Sequence, residues 1–148
     1  MSTPMNVFDI FDHDEHFQTI MKHLLEASMD TSFNGIMITE AGPGYPIVYV
    51  NPALVELTGY GPHELVGQSP SMLQGPNTSQ WVLDQFKEQI AAGEMFHGRT
   101  SNYRKDGSEF IMDWRIVPIR NAAGDITHYM AIQREVTTDD AKTTRSED

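Results

Sequence analysis

The chain has 148 residues, of which 21 are acidic and 10 basic, giving a formal net charge of −11; hydrophobic residues make up 39% and cysteine is absent. This length suits one compact domain with tails, which can bury roughly 70% of the surface of its unfolded chain and needs no disulfide or metal to hold it. The charge argues against a nucleic-acid backbone or an anionic membrane as partner, and the missing cysteine excludes disulfides, a thiolate nucleophile and cysteine-ligated zinc.

No apolar run approaches the ~20 residues of a membrane span. Residues 1–15 lack the basic flank and apolar stretch of a signal peptide, so the chain reads as cytoplasmic. Residues 1–14 read as a flexible acidic arm. The run Asp12-His13-Asp14-Glu15-His16 has metal-ligand residue types but no sign of a closed site, and reads as a solvated charge cluster. Over residues 15–27, Phe17, Ile20, Met21, Leu24 and Leu25 recur at spacings of three and four, predicting an amphipathic flanking helix. Its stripe suits either its own core or a dimer contact.

After a turn at Asp30–Asn34, Ile36–Thr39 and Ile47–Val50 predict a strand pair joined by a Gly/Pro-rich loop. Asn51 then Pro52 open a helix that stops near Gly59. A short helical turn spans 61–67, and 68–79 is an irregular stretch. Residues 79–92 predict a second amphipathic helix, ended by Gly93. Three strands follow, near 96–104, 108–120 and 126–136. Asp106-Gly107 turns the first pair. Alternation puts Phe110, Met112, Trp114 and Ile116 on one face of the middle strand and Asp113, Arg115 and Val117 on the other. Residues 138–148 read as a polar tail.

This order predicts an α+β domain: a five-stranded antiparallel sheet with short helices on one face and room for a ligand between them. Acidic residues fall mainly at surface positions. His63, His97 and His128 are scattered near turns, and no nucleophile elbow or paired carboxylate is evident. The chain therefore reads as a sensory or binding module rather than an enzyme.

The runs Val48-Tyr49-Val50-Asn51-Pro52-Ala53-Leu54, Leu57-Thr58-Gly59-Tyr60 and Glu64-Leu65-Val66-Gly67 resemble a PAS domain. Met72-Leu73-Gln74-Gly75-Pro76-Asn77-Thr78, Asn102-Tyr103-Arg104-Lys105-Asp106-Gly107-Ser108 and Ile132-Gln133 resemble its light-oxygen-voltage (LOV) branch, over residues 28–137. The resemblance implies the PAS fold and a flavin pocket, with FMN or riboflavin as cofactor. It also implies a Glu64–Lys105 salt bridge closing the pocket's outer edge. LOV domains form a light-driven bond between flavin and a cysteine in a run Asn-Cys-Arg-Phe-Leu-Gln. The matching run here is Ser69-Pro70-Ser71-Met72-Leu73-Gln74, so Pro70 stands at the photoactive position and no adduct can form.

Carried over residue by residue, Asn102 matches the first of two asparagines that bond the flavin ring, and the second falls at Met112. Gln133 matches the glutamine whose amide turns over, and Gln74 the one at the ribityl chain. Met37, Thr39, Leu73 and Tyr129 fall on pocket walls. The phosphate arginine of the central run is Ser71; helix positions Gln80, Asp84 and Lys87 leave only Lys87 as a cation for a phosphate. The residues alone leave a blander reading open, in which Asn102 and Gln133, on adjacent inner strand positions, satisfy each other or a water. Trp114 either walls the pocket or fills core. Two functions compete: a LOV-like sensor signalling through Gln133 and terminal dimer contacts, and a ligand-free dimerisation or docking adaptor with Met37, Met72, Met112 and Trp114 filling its pocket. The expected partners are a second copy, through the N-terminal helix and the sheet face, and a downstream signalling protein.

Overall fold

Five runs rich in β-branched and aromatic residues adopt strands, a shape in which such side chains pack across a pleated surface. The structure, a computed structural model, describes residues 17–136. The expected arm, its Asp12–His16 cluster and the polar tail lie outside the described residues.

Helix α1 (Phe17–Asp30) belongs to a unit of its own, and the body begins at Ser32. α1 continues past Ala27, where the sequence reading ended it. No Gly or Pro interrupts it, and the backbone N–H and the hydroxyl of Thr31 both donate to the carbonyl of Ala27. The expected domain start at residue 28 therefore falls inside this helix.

The body follows the expected order. β1 (Gly35–Glu40) and β2 (Ile47–Val50) precede α2 (Pro52–Thr58), α3 (Pro62–Leu65) and a 3-10 turn at Pro70–Leu73. α4 (Gln80–Ala91) then leads to β3 (Phe96–Tyr103), β4 (Glu109–Arg120) and β5 (Ile126–Glu135). All pairings are antiparallel, and the sheet order is β2-β1-β5-β4-β3. The predicted α+β architecture is the observed one. The irregular stretch 68–79 gains one ordered turn, because the Ser69 hydroxyl accepts from the backbone N–H of Ser71 and Pro70 suits a first helical position.

Local chemistry explains the joints. The Asn51 side chain caps α2 by accepting from the Leu54 N–H at 3.0 Å. The same oxygen accepts from the Ile36 N–H at 2.7 Å, and its amide donates to the Asn34 carbonyl at 3.0 Å. One buried side chain thereby ties α2 to β1. At the β3–β4 hairpin, Gly107 takes φ 88°, a region open mainly to glycine, and Asp106 accepts from the N–H and hydroxyl of Ser108. The core lies between the sheet and the helices, with Met37, Ile47, Leu54 and Leu65 almost fully enclosed. No helix among the described residues is long and apolar enough to cross a membrane.

Candidate functional site

Because side chains alternate along a strand, every second residue of four neighbouring strands faces the helices. β1 contributes Met37 and Thr39, β5 Tyr129, Ala131 and Gln133, β4 Met112, Trp114 and Ile116, and β3 Thr100 and Asn102. The register sets them side by side: Thr39 opposite Tyr129, Met37 opposite Ala131, Gln133 opposite Trp114, and Met112 opposite Thr100. Leu83, Phe86 and Lys87 of α4, the segment Ser69–Ser71 with Leu73 and Gln74, and Gly44–Tyr45 close the other side. Together they enclose a cavity of about 330 Å³.

The residues carried over as flavin contacts all line this cavity: Met37, Thr39, Leu73, Gln74, Lys87, Asn102, Met112, Tyr129 and Gln133, with Pro70 and Ser71 beside them, whereas Met72 does not. Trp114 serves in both of the capacities weighed for it, lining the cavity and packing against the core. Gln80 and Asp84 do not line it; the Gln80 amide donates to Asp84 at 2.8 Å in an exposed pair. Among the described residues, Lys87 is thus the sole charged one in the lining.

One relation differs from the sequence reading. Asn102 and Gln133 are not neighbours, because β4 runs between their strands: Asn102 is opposite Phe110, and Gln133 is opposite Trp114. They do not satisfy one another. The Oε1 of Gln133 is buried without a hydrogen-bond partner, a state that costs roughly 1–3 kcal/mol unless something supplies a donor.

The sequence reading missed Tyr45. It sits in the Gly/Pro loop, where no periodicity operates, and takes φ 49°, unusual for a non-glycine residue. Its ring meets Tyr129 at 5.8 Å and Phe86 at 6.2 Å between centroids. The strained turn places an aromatic ring on the cavity wall, as strained residues often do at binding sites.

The Glu64–Lys105 salt bridge forms, at 2.8 Å, and ties α3 to the β3–β4 hairpin. Neither residue lines the cavity, so the bridge braces the fold outside the lining. Glu64 is held below the usual carboxylate range, first by the hydrogen bond from Lys105 and then by the Gly61 N–H.

On the outer face of the sheet the structure shows a cluster the sequence did not suggest. Asp113, expected at the surface, is only 4% exposed. Arg99 donates to it at 2.7 Å, His97 lies at 3.0 Å and Arg134 at 3.7 Å. Burial pushes this carboxyl up, but the hydrogen bonds and charges of Arg99 and His97 outweigh it and hold the pKa below its ordinary value. Among the described residues no group of His, Asp and Glu could hold a metal.

An antiparallel sheet curled around an apolar cavity with a few polar tips, roofed by short helices, has the architecture of a small module with a candidate binding pocket. Residues 33–138 match the family model described as PAS domain. The chain belongs to the PAS domain family. It is 35% identical over 116 residues to the bacterioopsin transcriptional activator of Halobacterium salinarum, covering 78% of this chain and 17% of that protein. It is 36% identical over 94 residues to phototropin-2 of Oryza sativa subsp. japonica, covering 64% and 10%. A blue-light-activated histidine kinase of Brucella canis is 37% identical over 95 residues, covering 64% and 19%. The chain thus spans less than a fifth of the length of these curated relatives.

Among solved structures, the domain described in "Flavin Analogue Sheds Light on Light-Oxygen-Voltage Domain Mechanism" superposes with a TM-score of 0.73 at 31% identity, covering 84% of this chain and 90% of that one. The aureochrome1 LOV domain in its light state gives 0.71 at 32%, covering 81% and 94%. An RNA-binding LOV receptor gives 0.77 at 27%, covering 93% of this chain and 37% of that one. The chain is therefore a PAS sensory module with LOV neighbours, and it lacks the photoactive cysteine of that branch.

Proposed function

We propose that this domain binds a flavin, FMN or riboflavin, in the cavity and signals through Gln133 without a cysteinyl adduct. The observation that carries the reading is the buried, unpartnered Oε1 of Gln133 on the wall of an apolar cavity. The cavity volume is that of a small-molecule site. Its polar tips are amides and hydroxyls (Asn102, Gln74, Thr39, Thr100), the groups suited to a ring edge and a polyol chain that both donate and accept. The residues present therefore fit a flavin ring.

Flavin, when bound, supplies blue-light absorption and one- or two-electron redox chemistry. The chain does the rest. Met37, Leu73, Met112 and Trp114 exclude water, and Asn102 fixes ring orientation. Gln133 presents either an acceptor oxygen or, after a half-turn of its amide, a donor nitrogen. A change in ring protonation thereby rearranges a hydrogen bond on β5. That strand leads through Glu135 to Val136, whose N–H bonds the Ile111 carbonyl at 2.9 Å. The signal then passes to terminal contacts with a second copy, for which α1, with exposed Leu24 and Leu25, and the sheet face are the surfaces, and on to a downstream signalling protein. The domain itself is a cytoplasmic, non-enzymatic module. RNA binding, named for one structural neighbour, is disfavoured here by the net charge of −11.

The rival reading is a ligand-free adaptor with its pocket filled by side chains. The cavity left between Met37, Met112 and Trp114 counts against it, and Met72 packs on the core instead of lining that space. An absorbance spectrum of the purified protein, with and without added riboflavin and FMN, separates the two readings. Blue absorption is expected, with a flavin mass released on denaturation. Lys87→Ala is expected to weaken FMN several-fold and leave riboflavin unchanged, since Lys87 alone offers the phosphate a charge. Protein that stays colourless in excess flavin would sink the flavin reading.

A further inference from the structure

We propose that Trp114 is the electron donor that photoreduces a flavin in this cavity, so that the domain keeps a light-driven reaction without a thiol. The inference rests on the flavin reading above and deepens it.

Trp114 lines the cavity from β4, directly opposite Gln133. Its ring lies 5.2 Å from Phe96 and 6.3 Å from Phe86 between centroids, and those two rings are 5.6 Å apart. This aromatic block fixes the indole against the cavity. On the other side its partner in the sheet is Gly98. A Cβ at Gly98 would come within 2.6 Å of the Phe96 ring, so the missing side chain is what lets the block close.

A light-excited flavin is a strong one-electron oxidant, and an indole gives up an electron without first losing a proton. The other oxidisable side chains in the lining are the phenols of Tyr45 and Tyr129 and the thioethers of Met37 and Met112. A phenol is oxidised readily only as its proton leaves. Burial, and then the neighbouring Tyr45, hold the Tyr129 hydroxyl above its ordinary pKa, which opposes that loss. Thioethers are harder to oxidise than an indole. Trp81 is on α4, half-exposed and outside the lining.

The step balances as follows. Under blue light the Trp114 indole passes one electron to the ring, a proton from solvent follows it there, and the indole N–H proton leaves to solvent. An added thiol returns a hydrogen atom to the indole, and pairs of thiyl radicals join as disulfide. The net change is one hydrogen atom moved from thiol to flavin, with Trp114 restored. The protonated ring is then a donor, and Gln133 Oε1 is an acceptor with no other partner. Donor and reader thus share one rung of the sheet.

The test loads wild type, W114F and W81F with riboflavin, removes oxygen, adds a thiol and follows the loss of blue absorption under illumination. W81F should bleach at the wild-type rate and W114F at least about tenfold more slowly, a barrier change of ~1.4 kcal/mol. Flavin fluorescence should be brighter in W114F, and transient absorption should show an indole radical in wild type and W81F but not in W114F. That last measurement decides the matter even if W114F does not fold. Riboflavin-loaded wild type without an indole radical, or loaded W114F that bleaches at the wild-type rate, overturns the donor role and leaves flavin binding intact. Wild type that takes up no riboflavin overturns both.

Discussion

Asp113 shows what a single side chain contributes on the face away from the cavity. Alternation along β4 places it on the outer face, as the sequence indicates, yet it is buried there by side chains from two other strands: His97 and Arg99 of β3 and Arg134 of β5. The sequence carries no signal for that, because cross-strand partners depend on register. Since its folded pKa is depressed below the unfolded value, the carboxylate's contribution is full above about pH 4 and is lost as pH falls through the folded value. Asp113→Asn should cost about 1–3 kcal/mol at neutral pH. It should also shallow the loss of stability on acidification, measured as urea midpoints between neutral pH and the acid limit. An unchanged acid limb would remove Asp113 from that role. Residue identities in the cavity were far more legible, since resemblance placed them individually; Tyr45 escaped because it lies in a loop.

At the scale of elements, the signals that held were those with a local mechanism. Asn51-Pro52 starts a helix because a side-chain oxygen satisfies an orphan N–H and a ring fixes φ. Asp106-Gly107 turns a hairpin because glycine can take positive φ. The end of α1 was misjudged because no such signal stands between Ala27 and Asp30. The Asn102–Gln133 relation was misjudged for a different reason: each strand was legible, but the position of β4 between β3 and β5 was not. Asn51→Ala removes the cap of α2 and the side-chain bonds to Ile36 and Asn34 together. Its expected cost is about 2–4 kcal/mol, read from denaturant midpoints. A loss below ~1 kcal/mol would mean that capping alone matters and the tie to β1 does not.

For the body as a whole, the sheet order β2-β1-β5-β4-β3 puts the final strand at the centre. The pairs β1–β2 and β3–β4 share no ladder except through β5. A chain ending at Gly124 should therefore show no cooperative unfolding transition and no flavin uptake; a sharp melt from that fragment would contradict this. The same order has a consequence during synthesis. While the ribosome is still making the first four strands, the nascent chain has a wall of the pocket on each of two unconnected hairpins, and neither is a receptor. Pairing across such a gap in sequence is slow, and apolar faces stay open to chaperones until β5 arrives. Gln133 arrives on that same strand, so under the function proposed above no half-made domain captures a cofactor it is not yet able to report.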